Sequence, residues 1–365
     1  MEPVTHFLTG ACISRAGLNR KTAYATVVAV LAAEAADMDI FWGIAGPVEE
    51  LKRHRGITHT LLGAPFVAAV VVGLVWLLHW WRQNRLRNKA APEEDRQPVH
   101  WGWLYCIALV AALSHLALDW TNNYGVRPFF PFNPHWYAGS IVFIAEPVLW
   151  ALLFMAMLMP WILGLADAEI GARKQRFRGR GWAIFALLGM VTVWGWRWSE
   201  QAQARASLEN IQVTTAPISR MAFEPYPVNP YRWHVIMETP QYYQTAEVST
   251  WTGDVNTDAH QDVIYKPDVT PAVEVAKQTD LGKVYLDWGT WAVVRDVGQE
   301  SVPGAPPPDL RPGRTWTTVE FSDLRFAYSF LASRGGGGRA PLGGWVYIVD
   351  NRDEAGEGMG SRAQK

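Results

Sequence analysis

Histidine and aspartate side chains recur at the ends of apolar segments in the first 120 residues of this 365-residue sequence. The stretch HRGITHT places His54, Arg55 and His59 directly before a long apolar run. A second stretch, HLALD, puts His115 and Asp119 four residues apart, so that imidazole and carboxylate share one face of a helix. Because ionisable groups at membrane depth are costly, their presence there indicates a function.

Carboxylates occur at two further segment ends. Asp37 and Asp39 are two residues apart and cannot share one helical face, so either the helix ends there or one aspartate binds a metal while the other orients a ligand. Glu146 lies at the start of a later apolar segment. Imidazole and carboxylate without thiolate suit zinc, manganese or iron, and more than four candidates would allow two ions. The two cysteines, Cys12 and Cys106, lie inside apolar runs, which excludes a Cys-rich zinc module.

The elements that must position these residues are predicted membrane helices. Four segments are apolar over roughly the 20 residues that a span requires: Ile57–Trp81, Gly102–Trp120, Ile141–Ala166 and Gly181–Trp198. A weaker fifth segment covers Thr22–Ile40, and Val4–Leu18 is a short sixth that does not fully cross. The sequence therefore predicts a polytopic helical membrane domain over residues 1–198 with about five spans.

Basic residues predict the orientation of these helices. Residues 82–100 and 167–180 each carry five Lys or Arg, whereas residues 121–140 carry only Arg127. Basic connections stay in the cytoplasm, so the His- and Asp-bearing helix ends are expected on the outer side, together with the chain after Trp198. The stretch Pro47–Gly56 is basic yet falls outside in this topology. Either an anionic substrate or a wrong topology would explain it.

The remainder of the chain has strand-like patterns. Residues 199–210 are typical of a helical stalk, and residues 199–350 predict an antiparallel β-rich soluble domain outside the membrane, followed by a flexible tail at 351–365. The fold class is therefore α+β. Asp323 and Arg325 are expected to pair across a strand, and RGGGGR (Arg334–Arg339) to form a hairpin tip. The predicted strands are Trp233–Met237, Tyr242–Thr250, Val284–Leu286, Trp291–Val297, Thr315–Phe321 and Trp345–Val349.

Several motifs, taken in order, carry a family resemblance. They are PVTHFLTGA (Pro3–Ala11), DMD (Asp37–Asp39), HRGITHT (His54–Thr60), SHLALDWTNNYG (Ser114–Gly125), EPVLW (Glu146–Trp150), NPYRW (Asn229–Trp233) and VEFSDLRF (Val319–Phe326). In order and spacing the sequence resembles the YdjM-like family of bacterial inner-membrane proteins, described as predicted metal-dependent hydrolases. The resemblance covers nearly the whole chain.

The resemblance implies a set of site residues and a metal. His54 and Arg55 belong to the same HRGITHT signature as His59, which is one of the implied ligands. Two positions differ from the family pattern, since Ala36 stands where proline is frequent and Glu146 where aspartate is expected. The order of the ligands is also similar, by analogy only, to that of zinc-dependent phospholipases C. The types and number of the ligands favour one or two zinc ions, with manganese or iron as alternatives. The implied metal ligands are His6, Asp37, Asp39, His59, His115 and Asp119.

The favoured function is hydrolysis of an ester or phosphoester in a lipid or lipid-linked substrate at the outer face of the inner membrane. Asp37 or Glu146 would act as base, while Arg55, with His54 beside it, would meet the substrate. The alternatives are a non-enzymatic metal-binding or transport module and a structural metal site. A transporter should have polar residues in both leaflets, and a closed structural site needs only four ligands. Membrane lipids are the expected partners, and a net charge of −1 gives no field for nucleic acid.

Overall fold

The computed structural model describes residues 1–86, 97–171, 177–209, 211, 213–257, 262–302, 304–328 and 342–360. The chain forms two compact units, and both are discontinuous in sequence. The helical unit comprises Met1–Asp39 and Arg55–Ser199, whereas the sheet unit comprises Ile40–His54 and Glu200–Lys365. The chain is thus α+β, with helices in its first half and antiparallel sheets in its second.

Among the described residues, the helical unit contains six α-helices, the last of which continues into the sheet unit. Helices α2 (Ala25–Glu34) and α5 (Trp101–Thr121) pack together through small side chains, and α4 (Gly63–Leu86) packs on both. Gly10 of α1 allows a close approach to α2, because a Cβ atom at this position would lie 2.7 Å from the Ala29 carbonyl oxygen. The helices are α1 (Pro3–Arg15), α2 (Ala25–Glu34), α4 (Gly63–Leu86), α5 (Trp101–Thr121), α6 (Pro147–Glu169) and α7 (Arg180–Glu209).

Among the described residues, three helices are long and apolar enough to cross a membrane, namely Gly63–Arg85, Trp101–Thr121 and Pro147–Glu169. The predicted Thr22–Ile40 segment contains only the ten-residue helix α2, which is about 15 Å long, followed by a 3-10 helix over Ala35–Ala45. Helix α7 covers 30 residues and combines the predicted fourth segment with the stalk. A total of about five spans remains a prediction.

Two helices begin later than the sequence predicts. Helix α4 starts at Gly63 instead of Ile57, because Ile57–His59 forms a separate 3-10 helix. Helix α6 starts at Pro147 instead of Ile141, and Glu146 is its N-cap residue. Proline is favoured at the first helical position, where its missing N–H costs nothing.

The sheet unit contains two antiparallel sheets. In the first, the strands are ordered β1-β2-β3-β4, and β5 also pairs with β3; in the second, the order is β6-β7-β8-β9. The C-terminal turns of α7 contribute Ala204 and Leu208 to the core of the first sheet. The strands are β1 (Arg220–Pro225), β2 (Arg232–Glu238), β3 (Tyr242–Ser249), β4 (Val255–Asn256), β5 (Val263–Tyr265), β6 (Ala292–Asp296), β7 (Trp316–Asp323), β8 (Gly344–Val349) and β9 (Asp353–Met359).

Several predictions for this half were wrong. Val284–Leu286 is not a strand but part of helix α9 (Asp280–Trp288), which follows helix α8 (Pro271–Ala276). Within the expected tail at 351–365, Asp353–Met359 form strand β9, paired with β8, and residues 361–365 lie outside the described residues. Asp323 and Arg325 do form a buried ion pair at 3.0 Å, but locally at the end of β7 instead of across two strands. Arg334–Arg339 lies outside the described residues.

The segment Ile40–His54 belongs to the sheet unit although Asp39 and Arg55 on either side belong to the helical unit. Its helix α3 (Pro47–Arg53) packs against α9 and β9. Lys52 and Arg53 each pair with Glu49, at 3.1 and 2.9 Å. These basic side chains therefore share one acidic partner within the helix.

Candidate metal centre

Two 3-10 helices and the end of α5 bring four side chains of metal-ligating types together in the helical unit. Asp37 lies in the 3-10 helix that follows α2, and His59 ends the 3-10 helix that precedes α4. His115 and Asp119 lie in the last turns of α5, one helical turn apart. One ligand atom from each of the four lies within 4.8 Å of the others, so the group could hold a metal ion.

The distances within this group are close to those between the ligands of one tetrahedral ion. Metal–ligand bonds of about 2.0–2.1 Å place neighbouring ligand atoms about 3.3 Å apart. His59 Nε2 lies 3.1 Å from Asp37 Oδ1 and 3.5 Å from Asp119 Oδ2. The corresponding distances from His115 Nε2 are 3.4 and 3.3 Å. The two Nε2 atoms are 3.0 Å apart.

The outer nitrogen of each imidazole has its own acceptor. His115 Nδ1 lies 2.6 Å from the Ala33 carbonyl oxygen, which can only accept, so Nδ1 carries the proton. His59 Nδ1 lies 3.1 Å from Asp39 Oδ2. In the neutral rings both Nε2 atoms therefore present lone pairs to each other. A shared proton or a metal ion between the two nitrogen atoms would satisfy both lone pairs.

Asp37 and Asp39 have different roles, which follow from their positions around His59. Asp37 contacts the Nε2 side of the ring, while Asp39 contacts the Nδ1 side and also accepts the Arg55 backbone N–H at 2.8 Å. This geometry matches the alternative in which one aspartate binds the metal and the other orients a ligand. Asp39 is not part of the four-residue group.

Arg55 is buried and holds Asp119 instead of facing open space. Its Nη2 donates to Asp119 Oδ1 at 2.8 Å, and its Nη1 donates to the Gly125 carbonyl at 2.5 Å. Its guanidinium also stacks on the Tyr124 ring, 4.5 Å from the ring centroid. Arg55 therefore fixes the carboxylate that His59 and His115 face.

His6 of α1 lies beside the group. Its ring stacks on His115 with centroids 3.8 Å apart, and its Nε2 is 3.5 Å from Asp119 Oδ1. Both of its nitrogen atoms are buried without hydrogen-bond partners among the described residues, and so is Asp119 Oδ2. Buried polar atoms are normally satisfied, so these orphaned atoms are what a metal-ligand set would leave in a chain without its ion.

The charge of this region also suits a cation. The carboxylates of Asp37, Asp39 and Asp119 face two cationic groups, Arg55 and the Met1 amino group, which contacts Asp119. Negative charge is thus in excess at a buried position, where unpaired charge is expensive. Asp37 is the most accessible of the four ligands, with a side chain 19% exposed against at most 1% for the others.

Two predicted site residues lie elsewhere. Glu146 is buried at the N-terminus of α6 and interacts electrostatically with Arg197. His54 follows α3 as its C-cap residue and belongs to the sheet unit. Among the described residues, neither belongs to the four-residue group.

The sequence alone did not assign the residues that support the ligands. Asn122 Oδ1 accepts the Tyr124 backbone N–H at 2.8 Å, and Gly125 adopts φ +87° in the same turn. This turn presents the Tyr124 ring and the Gly125 carbonyl to the Arg55 guanidinium. The Asn-Asn-Tyr-Gly run that begins three residues after Asp119 was the available signal, since Asn and Gly favour such turns.

Comparison with known proteins agrees with the family resemblance. The sequence model of the family described as YdjM inner membrane protein matches residues 1–204, more than half of the chain. This protein belongs to the YdjM inner membrane protein family. The matched region contains all four residues of the candidate metal centre. Family membership and the three apolar helices together establish this YdjM family member as a membrane protein.

One relative of this YdjM family member is described as the uncharacterized protein YfhP of Bacillus subtilis (strain 168). The two are 23% identical over 172 residues, which cover 45% of this chain and 47% of the relative. The match thus spans less than half of either protein. No solved structure matches the chain.

Proposed function

We propose that Asp37, His59, His115 and Asp119 bind a divalent metal ion, which we assign as zinc. The observation that supports this most strongly is the 3.0 Å separation of the two Nε2 atoms, each on a ring whose Nδ1 has a separate acceptor. Two nitrogen and two oxygen ligands at near-tetrahedral spacing suit zinc, with manganese or iron as alternatives. His6 is placed to extend the set toward five ligands or a second ion.

We further propose that the protein is a metal-dependent hydrolase. When bound, such a metal activates water and polarises a phosphoryl or carbonyl oxygen. Asp37 would lie on the substrate side, because it is the ligand that remains partly exposed. Arg55 would position Asp119 instead of contacting the substrate, and Glu146 and His54 would act, if at all, from outside the ligand set.

The substrate that we propose is an ester or phosphoester of a lipid or lipid-linked molecule. The helical unit exposes apolar side chains at positions next to site residues, including Phe7 at 50% and Met38 at 58% exposure. Both neighbour ligands in sequence, Phe7 beside His6 and Met38 beside Asp37. An amphiphile that reaches the centre from the bilayer would meet such a surface. We place the centre and the sheet unit on the outer side of the inner membrane, as the basic connections predict.

The alternative function is a membrane module that binds or transports a metal without catalysis. It would need the same ligands, so the ion content of the protein does not distinguish the two. The partly exposed Asp37 beside three buried ligands argues against a closed structural site, which would bury all four, and suits either an open catalytic site or transport.

The first experiment measures metal in the detergent-purified protein beside His59→Ala and Asp119→Ala. We expect about one ion per wild-type chain and almost none in either variant, with Asp268→Ala, an exposed aspartate of the sheet unit, as a control. Equal and near-zero metal in all four proteins would refute the metal centre.

The second experiment addresses catalysis. The metal-loaded protein is incubated with membrane lipid extract, and released phosphate esters and fatty acids are measured by mass spectrometry. Product that depends on both metal and His115 supports a hydrolase. A loaded protein that releases none, but moves zinc into sealed vesicles, would support the transport module.

A further inference from the structure

A second candidate site lies at the end of the helical unit away from the metal centre. A cleft of about 660 Å³ opens between the end of α1, the start of α2 and the middle of α6. This volume lies within the range of about 300–1,000 Å³ typical of small-molecule sites. Its residue Arg15 is nine positions after His6 in α1, which corresponds to about 13 Å along the helix axis.

The polar side of the cleft is cationic. Arg15 and Arg178 line it, and no carboxylate occurs among its described lining residues. Arg178 forms an ion pair with Asp167. The Arg15 guanidinium donates no hydrogen bond and forms no ion pair within the described chain, so its charge is available to a ligand.

The opposite side of the cleft is apolar and belongs to a candidate membrane span. Met157, Pro160 and Trp161 of α6 form it, and Trp161 is 62% exposed. Gly179 packs closely against Pro160, since a Cβ atom there would lie 2.6 Å from the proline Cγ. The backbone of this glycine has φ +95°, so the turn that holds Arg178 beside Pro160 depends on glycine.

We propose that this cleft binds one anionic phospholipid, with its phosphate at Arg15 and Arg178 and its acyl chain along the apolar side of α6. Charge complementarity selects the headgroup. Arg15 supplies a guanidinium without an ion pair in the described chain, Arg178 adds further N–H donors although its charge is paired with Asp167, and no carboxylate is among the described lining residues. The exposed tryptophan on a spanning helix selects a ligand with an acyl chain over a soluble phosphate. Thr22 and Thr26 also line the cleft, and their hydroxyl groups are already hydrogen-bonded within the chain.

The test uses native mass spectrometry of the detergent-purified full-length protein titrated with phosphatidylglycerol or phosphatidylcholine. We expect one phosphatidylglycerol to be retained about tenfold more tightly than phosphatidylcholine. Arg15→Gln should weaken the binding of phosphatidylglycerol by about five- to tenfold, as expected for the loss of one cation beside an anionic headgroup. Arg15→Lys should retain most of the affinity, which separates charge from misfolding.

Arg85→Gln is the matched control. Arg85 lies at the end of α4, stacks on Trp81 and does not line the cleft, so its loss removes the same charge without touching the site. Equal binding by Arg15→Gln and the wild type, or equal affinity for the two lipids, would overturn the proposal. Displacement of the lipid by millimolar glycerol phosphate would show that the site takes a free phosphate instead.

Discussion

His59 and His115 face each other through Nε2 atoms only 3.0 Å apart, although they lie 56 positions apart in the sequence. The Asp39 carboxylate and the Ala33 carbonyl fix the outer nitrogen of each ring. The pair is therefore preorganised to share one cation, and the predictions below follow from the way its neighbours hold it.

Asp39→Asn should weaken metal binding without removing a ligand. Asp39 orients His59 through Nδ1, and loss of such a partner usually costs about 10–100-fold in affinity. Competition with a fluorescent zinc chelator would measure this, with Asp268→Asn as the matched change at an exposed position. Affinity equal to that of the wild type would mean that Asp39 does not orient the ring.

Arg55→Met should destabilise the helical unit strongly. The substitution leaves Asp119 buried without its guanidinium partner, and breaking a buried ion pair costs about 3–5 kcal/mol. Thermal unfolding in detergent should show a large decrease in melting temperature, partly restored by added metal, which supplies another cation.

Arg53→Met is the control for this experiment. Its side chain is 48% exposed and pairs with Glu49 on the surface, so the expected cost is about 0–1 kcal/mol. Similar melting temperatures for the two variants would contradict a structural role for the Arg55–Asp119 pair.

Gly10→Ala should push α1 away from α2 and move His6 with it. The added Cβ would lie 2.7 Å from the Ala29 carbonyl oxygen, and overpacking of this kind costs about 1–3 kcal/mol. Gly73→Ala in α4 meets no atom within 4 Å and should be neutral or slightly stabilising. Metal affinity and melting temperature are measured for both. If the two variants behave alike, the close α1–α2 approach is not required.

The sheet unit should lose stability in acid because of His234. Burial in β2 lowers the pKa of this imidazole to about 4, whereas the unfolded chain has a pKa near 6.5. The unfolded state then binds more protons, so stability present above pH 6.5 is lost as the pH falls toward 4, by up to about 3 kcal/mol.

His234→Gln should flatten this pH dependence. The exposed His135→Gln should leave it unchanged. Hydrogen exchange of the β2 and β3 amides, corrected for intrinsic rates, gives the stability at each pH. An unaltered slope in His234→Gln would assign the acid sensitivity to another group.

The sequence predicted the ligand types better than their individual roles. His115 and Asp119 could be paired from their spacing alone, since four residues bring side chains to one helix face. Which of Asp37 and Asp39 binds the metal depends on the 3-10 geometry after α2, and periodicity does not determine that geometry. His59 likewise lies in a 3-10 turn before its helix, and no local pattern fixed this boundary.

In the sheet unit, the wrong predictions of secondary structure have a common cause: packing against other elements overrides the local preference of the residues. Val284 and its neighbours have strand-forming side chains, but Leu281, Tyr285 and Trp288 are buried at helical spacing, and Thr279 caps the helix. Strand β9 is acidic and glycine-rich, with no alternating pattern. It forms because β8 offers an edge with which it can pair.

The double entry of the chain into the sheet unit has a consequence for dissecting the protein. Stopping translation after Ser199 would leave Ile40–His54 in place while removing α9 and β9, against which its helix packs. Ile40–His54 would then expose the face that packs on α9 and β9, in addition to Ile44, which is already 87% exposed, and the shortened protein would be prone to aggregation. A minimal metal-binding protein should instead lack both Ile40–His54 and the chain after Ser199, with a short linker from Asp39 to Arg55. These two residues are already close, because the Arg55 backbone N–H donates to the Asp39 carboxylate at 2.8 Å.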